Sequence, residues 1–246
     1  MFWKNKIYNR MILSVLTVFI ISADVYGRDS CLVNKHWQGR GYFMFGGSSF
    51  DFGALNSRLQ TSGYPKVSDD FLGFGGGGHI FKNRWIIGGE GHGFLPRESE
   101  NSTYRISVKG GYGFLNLGYF LHQSAHLSLY PMIGFGGGGI RLKIEEKSNP
   151  SFNDVLDDPG RNSEISILSM LLNFSLGADY QRKINKEEKH CSVWIVGFRI
   201  GYILDLEQGK WMMGRKSLSG APAIAITGPY ARLLIGFGGI HPCRKI

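Results

Sequence analysis

Residues 164–182 have the sequence EISILSMLLNFSLGADYQR, in which apolar and polar side chains alternate. One face carries the apolar residues Leu168, Met170, Leu172, Phe174, Leu176, Ala178 and Tyr180. The other face carries Ser169, Asn173, Ser175, Gly177, Asp179 and Gln181, interrupted by Leu171. A repeat of two residues predicts a β-strand, because a helix repeats about every 3.6 residues.

Residues 190–206 show the same alternation. The apolar face carries Trp194, Val196, Phe198, Ile200, Tyr202 and Leu204, and the opposite face carries Gly197, Arg199, Gly201 and Asp205. Strands in sandwiches are usually about five or six residues long. Strands as long as these two are typical of tilted strands that cross a bilayer.

Six more segments have strand-like composition. The complete predicted set is 41–49, 71–81, 84–94, 103–121, 126–143, 164–182, 190–206 and 228–240. The connections between them alternate between long and short, as the external loops and periplasmic turns of outer-membrane barrels do. The sequence therefore predicts an all-β fold, a closed antiparallel up-and-down transmembrane β-barrel of about eight strands.

The first long connection also carries a helical pattern. Phe52, Leu55 and Leu59 share one helical face, Asp51 is a good N-cap residue, and Gly63 is suited to end the helix. We therefore predict a short helix in the first long loop.

The N-terminus resembles a targeting segment. Lys4, Lys6 and Arg10 precede the apolar run Met11–Ala23, which is too short to span a bilayer comfortably. We predict a signal peptide over residues 1–27 and one barrel domain over 28–246, exported to a bacterial outer membrane. The mean hydropathy of −0.10 excludes a helical protein with many membrane spans but is typical of a barrel, whose strands are half apolar.

Glycine blocks at Gly73–Gly78 and Gly134–Gly139 match the G-x-G-x-x-G pattern of dinucleotide-binding loops. Such a site requires a helix directly after the motif, whereas both blocks here continue into strand-like sequence. We interpret these glycines as residues that permit strand curvature and leave room in a narrow lumen. The sequence predicts neither a cofactor nor a metal ion.

Charged residues fall on the polar faces of the predicted strands. They are Glu90, Arg105, Lys109, Asp179, Arg199, Asp205 and Arg232. A lysine or arginine that faces lipid at mid-bilayer costs about 2–4 kcal/mol. We therefore expect all seven to point into the lumen and to pair there, either as an internal salt-bridge core or as the lining of a narrow polar pathway.

Two pairs of residues are weak catalytic candidates. His126 and Ser128 share a strand face, and their spacing is similar to the His-x-Ser pair of outer-membrane lipid A deacylases. Glu90 and His92 also share a face and are suited to general acid–base chemistry. A buried, mutually satisfied polar pair is the more ordinary interpretation of Glu90 and His92.

The chain has three cysteines: Cys31, Cys191 and Cys243. The predicted topology places all three near the periplasmic end. Because the seventh and eighth strands are neighbours, a disulfide between Cys191 and Cys243 is feasible in that oxidising compartment. An odd count leaves the pairing open.

As architecture, residues 41–240 resemble the small eight-stranded outer-membrane barrels of Gram-negative bacteria, such as the OmpA, OmpX and OmpW types. The resemblance implies a non-enzymatic integral barrel that presents surface loops or stabilises the envelope. It also implies contact with outer-membrane lipids, including lipopolysaccharide, and with the assembly machinery.

Several alternatives remain open at the level of sequence. The barrel could be a narrow pore for small solutes, a lipid-modifying hydrolase, or a soluble lipocalin-like binding protein. The formal net charge of +9 suits anionic lipid phosphates, whereas export argues against a nucleic-acid partner. We expect a monomer.

Overall fold

The computed structural model describes residues 38–124, 126–148, 151–157, 162–184, 191–207, 209–222 and 224–240. The predicted signal peptide lies outside these residues. Eight long strands are present: β1 Gln38–Ser49, β2 Asp70–Lys82, β3 Trp85–Phe94, β4 Tyr104–Tyr119, β5 Leu127–Glu146, β6 Asn162–Lys183, β7 Cys191–Glu207 and β8 Gly228–Ile240. Two helices, α1 Gly53–Thr61 and α2 Phe152–Asp157, lie in the first and third long loops.

The eight strands form a closed antiparallel barrel. Each strand pairs with its neighbours in sequence, and β1 pairs with β8 from Gln38 opposite Ile240 to Ser48 opposite Tyr230. The predicted fold class and strand count are therefore confirmed. All eight predicted segments match observed strands, with boundaries that differ by at most three residues.

The connections follow the predicted alternation. β2 and β3 are joined by Asn83 and Arg84 alone, and Asn83 adopts a positive φ of 57°, which asparagine tolerates in tight turns. Short strands extend the wall at the opposite, loop-bearing end. They are Arg97–Glu100 beside β4 and a small hairpin of Met212–Met213 and Lys216–Ser217 beside β6; His122–Gln123 pairs with β5 at the turn-bearing end.

The outer wall of the barrel is apolar along most of its height. Exposed apolar side chains point outward from every strand, among them Phe43, Phe74, Ile87, Leu115, Phe135, Leu176, Ile200 and Ile235. The alternate residues point inward and are buried. On β6 the inward residues include Asn173, Ser175 and Asp179, as the alternation in residues 164–182 predicts.

This pattern reverses toward the loop-bearing end of β4, β5 and β6. There the outward side chains are polar, including Arg105, Lys109, Arg141, Lys143 and Glu164. The inward side chains become apolar and are buried: Ile106, Val108, Ile140, Leu142 and Ile167. The outer wall is thus divided into an apolar belt and a polar rim.

Helix α1 and the last long loop close the loop-bearing end of the lumen. Phe52, Leu55 and Leu59 pack in one buried cluster with Trp211, Ile224 and Ile226. We call these six residues the apolar plug. The predicted helix is confirmed, although it begins at Gly53 with Phe52 as N-cap residue, while Asp51 accepts a hydrogen bond from the Gly53 N–H at 2.9 Å. Gly63 follows its end with a φ of 79°.

Glycines on the inner wall make room for large polar side chains. A Cβ on Gly177 would lie 2.4 Å from the ring of Tyr130, and one on Gly77 would lie 2.9 Å from Glu90 Cβ. Both glycine blocks lie within β2 and β5, so neither precedes a helix as a dinucleotide-binding loop would. Among the described residues, no helix is both long and apolar enough to span a membrane.

Candidate functional site in the barrel lumen

The middle of the lumen is occupied by a cluster of charged side chains centred on Glu90. This carboxylate accepts a hydrogen bond from Arg199 Nη1 and lies 3.3 Å from Arg232 Nη1. Arg199 and Arg232 are directly opposite each other on β7 and β8. All three side chains are buried, so Glu90 is the counter-charge that holds two facing arginines together.

Aromatic side chains surround the two arginines. The Arg199 guanidinium lies over the Tyr42 ring, 5.4 Å from its centroid, and Arg232 lies 3.7 Å from the centroid of Tyr230. Arg232 also donates a hydrogen bond to the Tyr112 hydroxyl. Cation–π contacts strengthen when the cation is desolvated, so these rings complete the burial of the charges.

A second group of polar residues lies nearer the turn-bearing end. Arg40 donates to Asp179 Oδ2 at 3.1 Å and to Gln181 Oε1 at 2.7 Å. The Tyr130 hydroxyl donates to the same Asp179 oxygen at 2.8 Å and accepts from Arg199 Nη2 at 3.4 Å. Tyr130 therefore links the two groups into one network along the lumen.

Four of the seven expected lumen charges belong to this network: Glu90, Asp179, Arg199 and Arg232. Asp205 points inward at the loop-bearing end, where it accepts a hydrogen bond from the Ile226 N–H at 3.2 Å. It forms no ion pair within the described part of the chain. Asp205 thus fixes the last long loop to the barrel and stands apart from the network.

The prediction that all seven charged side chains point into the lumen was wrong for Arg105 and Lys109, which point outward on β4. The Arg105 side chain is 46% exposed and pairs with Glu100 at 3.2 Å. The hydrogen bond from Arg105, together with nearby Lys147, lowers the pKa of Glu100. The physical reason for the error is the polar rim, where the outer wall is hydrated and the interior is packed with apolar side chains.

Arg40, Tyr112 and Tyr130 also belong to the network and are not among the residues predicted from the sequence. Arg40 was missed because β1 begins at Gln38, three residues before the predicted start. Tyr112 and Tyr130 could have been predicted as members, since the alternation of their strands places both at inward positions. A tyrosine buried in a lumen needs a partner for its hydroxyl.

The structure does not unite His126 and Ser128 as a catalytic pair. Ser128 is fully buried opposite Asp179, and its hydroxyl has no hydrogen-bond partner among the described residues. His126 instead stacks on Tyr180, with 6.0 Å between ring centroids, and its Nδ1 lies 3.3 Å from the Gln181 carbonyl oxygen.

Glu90 and His92 do come together, with Glu90 Oε1 and His92 Nε2 3.7 Å apart. His92 Nε2 also lies 2.8 Å from Arg232 Nη1. Because arginine can only donate hydrogen bonds, His92 accepts this one with a neutral ring. Glu90 and His92 therefore both hold the Arg232 guanidinium in place.

Cys243 and the Cys191 side chain lie outside the described residues, so the predicted disulfide stays a prediction. Within the described ranges, no group of three or more histidine, cysteine, aspartate or glutamate side chains is arranged to hold a metal ion.

Comparison with known proteins gives structural likenesses alone. No protein-family model matches the chain, and no curated protein matches it. Ail, the attachment invasion locus protein of Yersinia pestis, is 13% identical, with 84% of this chain and 99% of that chain covered at a TM-score of 0.44. Neisserial surface protein A (NspA) is 10% identical, with 84% and 97% covered at a TM-score of 0.37.

The outer membrane protein OprG from Pseudomonas aeruginosa is 16% identical, with 84% of this chain and 96% of that chain covered at a TM-score of 0.35. At such identities and TM-scores, the assignment of the fold rests on the strand pairing of the chain itself. That pairing gives the closed eight-stranded up-and-down architecture of the small outer-membrane barrels.

Proposed function

We propose that the chain is a non-enzymatic integral β-barrel of a bacterial outer membrane, which presents loops at the cell surface or stabilises the envelope. One observation carries this proposal: the apolar belt faces outward while the buried charges lie in the lumen. A soluble lipocalin-like barrel has the opposite distribution, since its apolar side chains face inward. A wall exposing so many large apolar side chains requires lipid around it.

The loops support a surface role. In outer-membrane barrels the longer connections are external, which directs the apolar plug, α1 and α2 toward the outside of the cell. On α2, Phe152 and Leu156 are 78% and 65% exposed. An exposed apolar helix face on the β5–β6 loop is suited to contact with other molecules.

Outer-membrane lipids are the proposed partners of the wall. Lys109 and Arg141 are paired across β4 and β5 at the edge of the apolar belt. Two cations at the boundary between apolar belt and polar rim are suited to the phosphates of lipopolysaccharide. Insertion would use the assembly machinery that the class requires. A closed barrel has no free strand edge, which supports a monomer.

The filled lumen supports a structural role over a narrow pore. Side chains of the charged network occupy its middle, and the apolar plug closes the loop-bearing end. An eight-stranded barrel is just wide enough for side chains to fill it. No feature of the described residues favours conduction over this closed arrangement.

Cell fractionation tests the proposal directly. The full chain, expressed in a Gram-negative host, should sediment with the outer membrane. It should also migrate faster on gels before boiling than after it, because a folded barrel resists detergent. Recovery of the mature chain in the soluble periplasmic fraction would contradict the proposal.

Ser128→Ala tests the absence of lipid hydrolysis. Because the Ser128 hydroxyl is buried and has no hydrogen-bond partner in the described ranges, its removal should leave barrel stability nearly unchanged. Mass spectra of lipid A and phospholipids should be identical in cells expressing the wild type, the variant or neither. Lipid species that appear with the wild type and vanish with the variant would establish an enzyme.

A further inference from the structure

The buried charges of the network in the middle of the lumen do not balance. Within the described part of the chain, the charged side chains that are buried comprise three arginines and two carboxylates: Arg40, Arg199, Arg232, Glu90 and Asp179. Arg40 is paired with Asp179, whereas Arg199 and Arg232 share Glu90. One positive charge is therefore left without a counter-charge. Arginine does not lose its proton in proteins, and an isolated buried charge is strongly unfavourable.

The unbalanced charge lies beside a small cavity. The cavity has a volume of about 10 Å³ and is lined by Arg232, Tyr112, Ser48 and His92 together with strand glycines and Phe94. A volume of this size holds about one water-sized species. The cavity therefore has the size of one small species and is too small for an organic ligand.

The polar groups around the cavity form a chain of donors. Arg232 Nη2 donates to the Tyr112 hydroxyl oxygen, and the Tyr112 and Ser48 hydroxyl oxygens lie 3.1 Å apart. When Tyr112 donates its hydrogen to Ser48, the Ser48 hydrogen is left for an acceptor in the cavity. The carboxylate nearest to this group, Glu90, is already engaged by both arginines.

From the charge excess, the cavity and the donors, we infer that the lumen binds one small monovalent inorganic anion beside Arg232. The anion supplies the missing negative charge and accepts hydrogen bonds from the Arg232 guanidinium and the Ser48 hydroxyl. This site is separate from any lipid or loop partner of the barrel. It would be present in detergent micelles as well as in a membrane.

Halide-dependent unfolding tests the inference. The full chain, folded in detergent micelles, is heated in sodium gluconate, and gluconate is then replaced by chloride at constant ionic strength. Above the dissociation constant the unfolding midpoint should rise with the logarithm of the chloride concentration, by about 5 °C at a hundred times that constant. Gluconate is too large for the cavity, so a midpoint that is the same in both salts would overturn the inference.

Three variants assign the effect to Arg232. Arg232→Gln removes the excess charge and should abolish the chloride dependence, while Arg232→Lys retains the charge and should retain the dependence. Arg105→Gln, at an exposed arginine on the outer wall, should behave as the wild type. Equal chloride dependence in Arg232→Gln and the wild type would overturn the inference.

Crystals of the wild type grown in bromide give a test that needs no variant. Anomalous scattering should place one bromide in hydrogen-bond distance of the Arg232 guanidinium. A map with bromide elsewhere and none at Arg232 would overturn the inference, even if Arg232→Gln failed to fold.

Discussion

Glu90→Ala is expected to destabilise the barrel by about 3–5 kcal/mol, because it leaves two buried arginines without their shared partner. Arg199 and Arg232 are directly opposite each other on paired strands. With Glu90 removed, the repulsion between these two buried side chains is no longer offset. The free energy of unfolding, measured by urea titration of the barrel in lipid vesicles, gives the loss.

A matched control for this change is Glu100→Ala. Glu100 also pairs with two cations, Arg105 and Lys147, but it lies on the exposed rim. Water screens such pairs, so their removal should produce no measurable change in stability. A Glu90→Ala barrel as stable as the Glu100→Ala barrel would contradict the role assigned to the buried network.

Leu176→Arg is expected to cost about 2–4 kcal/mol of stability in a lipid bilayer, because it places a guanidinium in the middle of the apolar belt. Leu176 lies near the centre of the outward run on β6, between Pro131 and Ile200 on the neighbouring strands. Its side chain is exposed on the outer wall, so the cost reflects the surroundings of the barrel. The same vesicle-based urea titration measures it.

Leu156→Arg, on helix α2, is the control for this second substitution. Leu156 and Leu176 are exposed to a similar degree, 65% and 56%, but Leu156 lies on a loop. In water, an exposed leucine replaced by arginine should change stability by less than about 0.5 kcal/mol. Equal effects at the two positions would mean that the belt does not face lipid.

The sequence predicted the barrel well because a half-apolar strand has an unmistakable period of two. On β6 and β7 the period holds through the belt, from Leu168 to Tyr180 and from Trp194 to Leu204, since one side meets lipid and the other the polar lumen. Strand number and loop alternation then followed from counting such segments. These features depend on local pattern alone.

The inward direction of individual charges was harder to predict, because it depends on where the membrane ends. Arg105 and Lys109 continue the alternation of β4, but beyond the belt polar residues belong on the outside. The full membership of the charged network also could not be predicted from the sequence. Arg40 and Glu90 meet their partners across the lumen at separations of more than one hundred residues, and nothing in a local pattern encodes such contacts.

If the barrel is embedded in a membrane, the Leu176 side chain faces lipid. A spin label introduced at this position by cysteine substitution tests this most directly. The variant has its native cysteines replaced by serine and is folded into vesicles, with Ser57 on the exposed surface of α1 as the labelled control. At position 176 we expect strong relaxation by oxygen, which dissolves in lipid, and little by a water-soluble nickel chelate; at position 57 we expect the reverse. A label at position 176 that the nickel chelate reaches as readily as it reaches position 57 would contradict the membrane-embedded barrel.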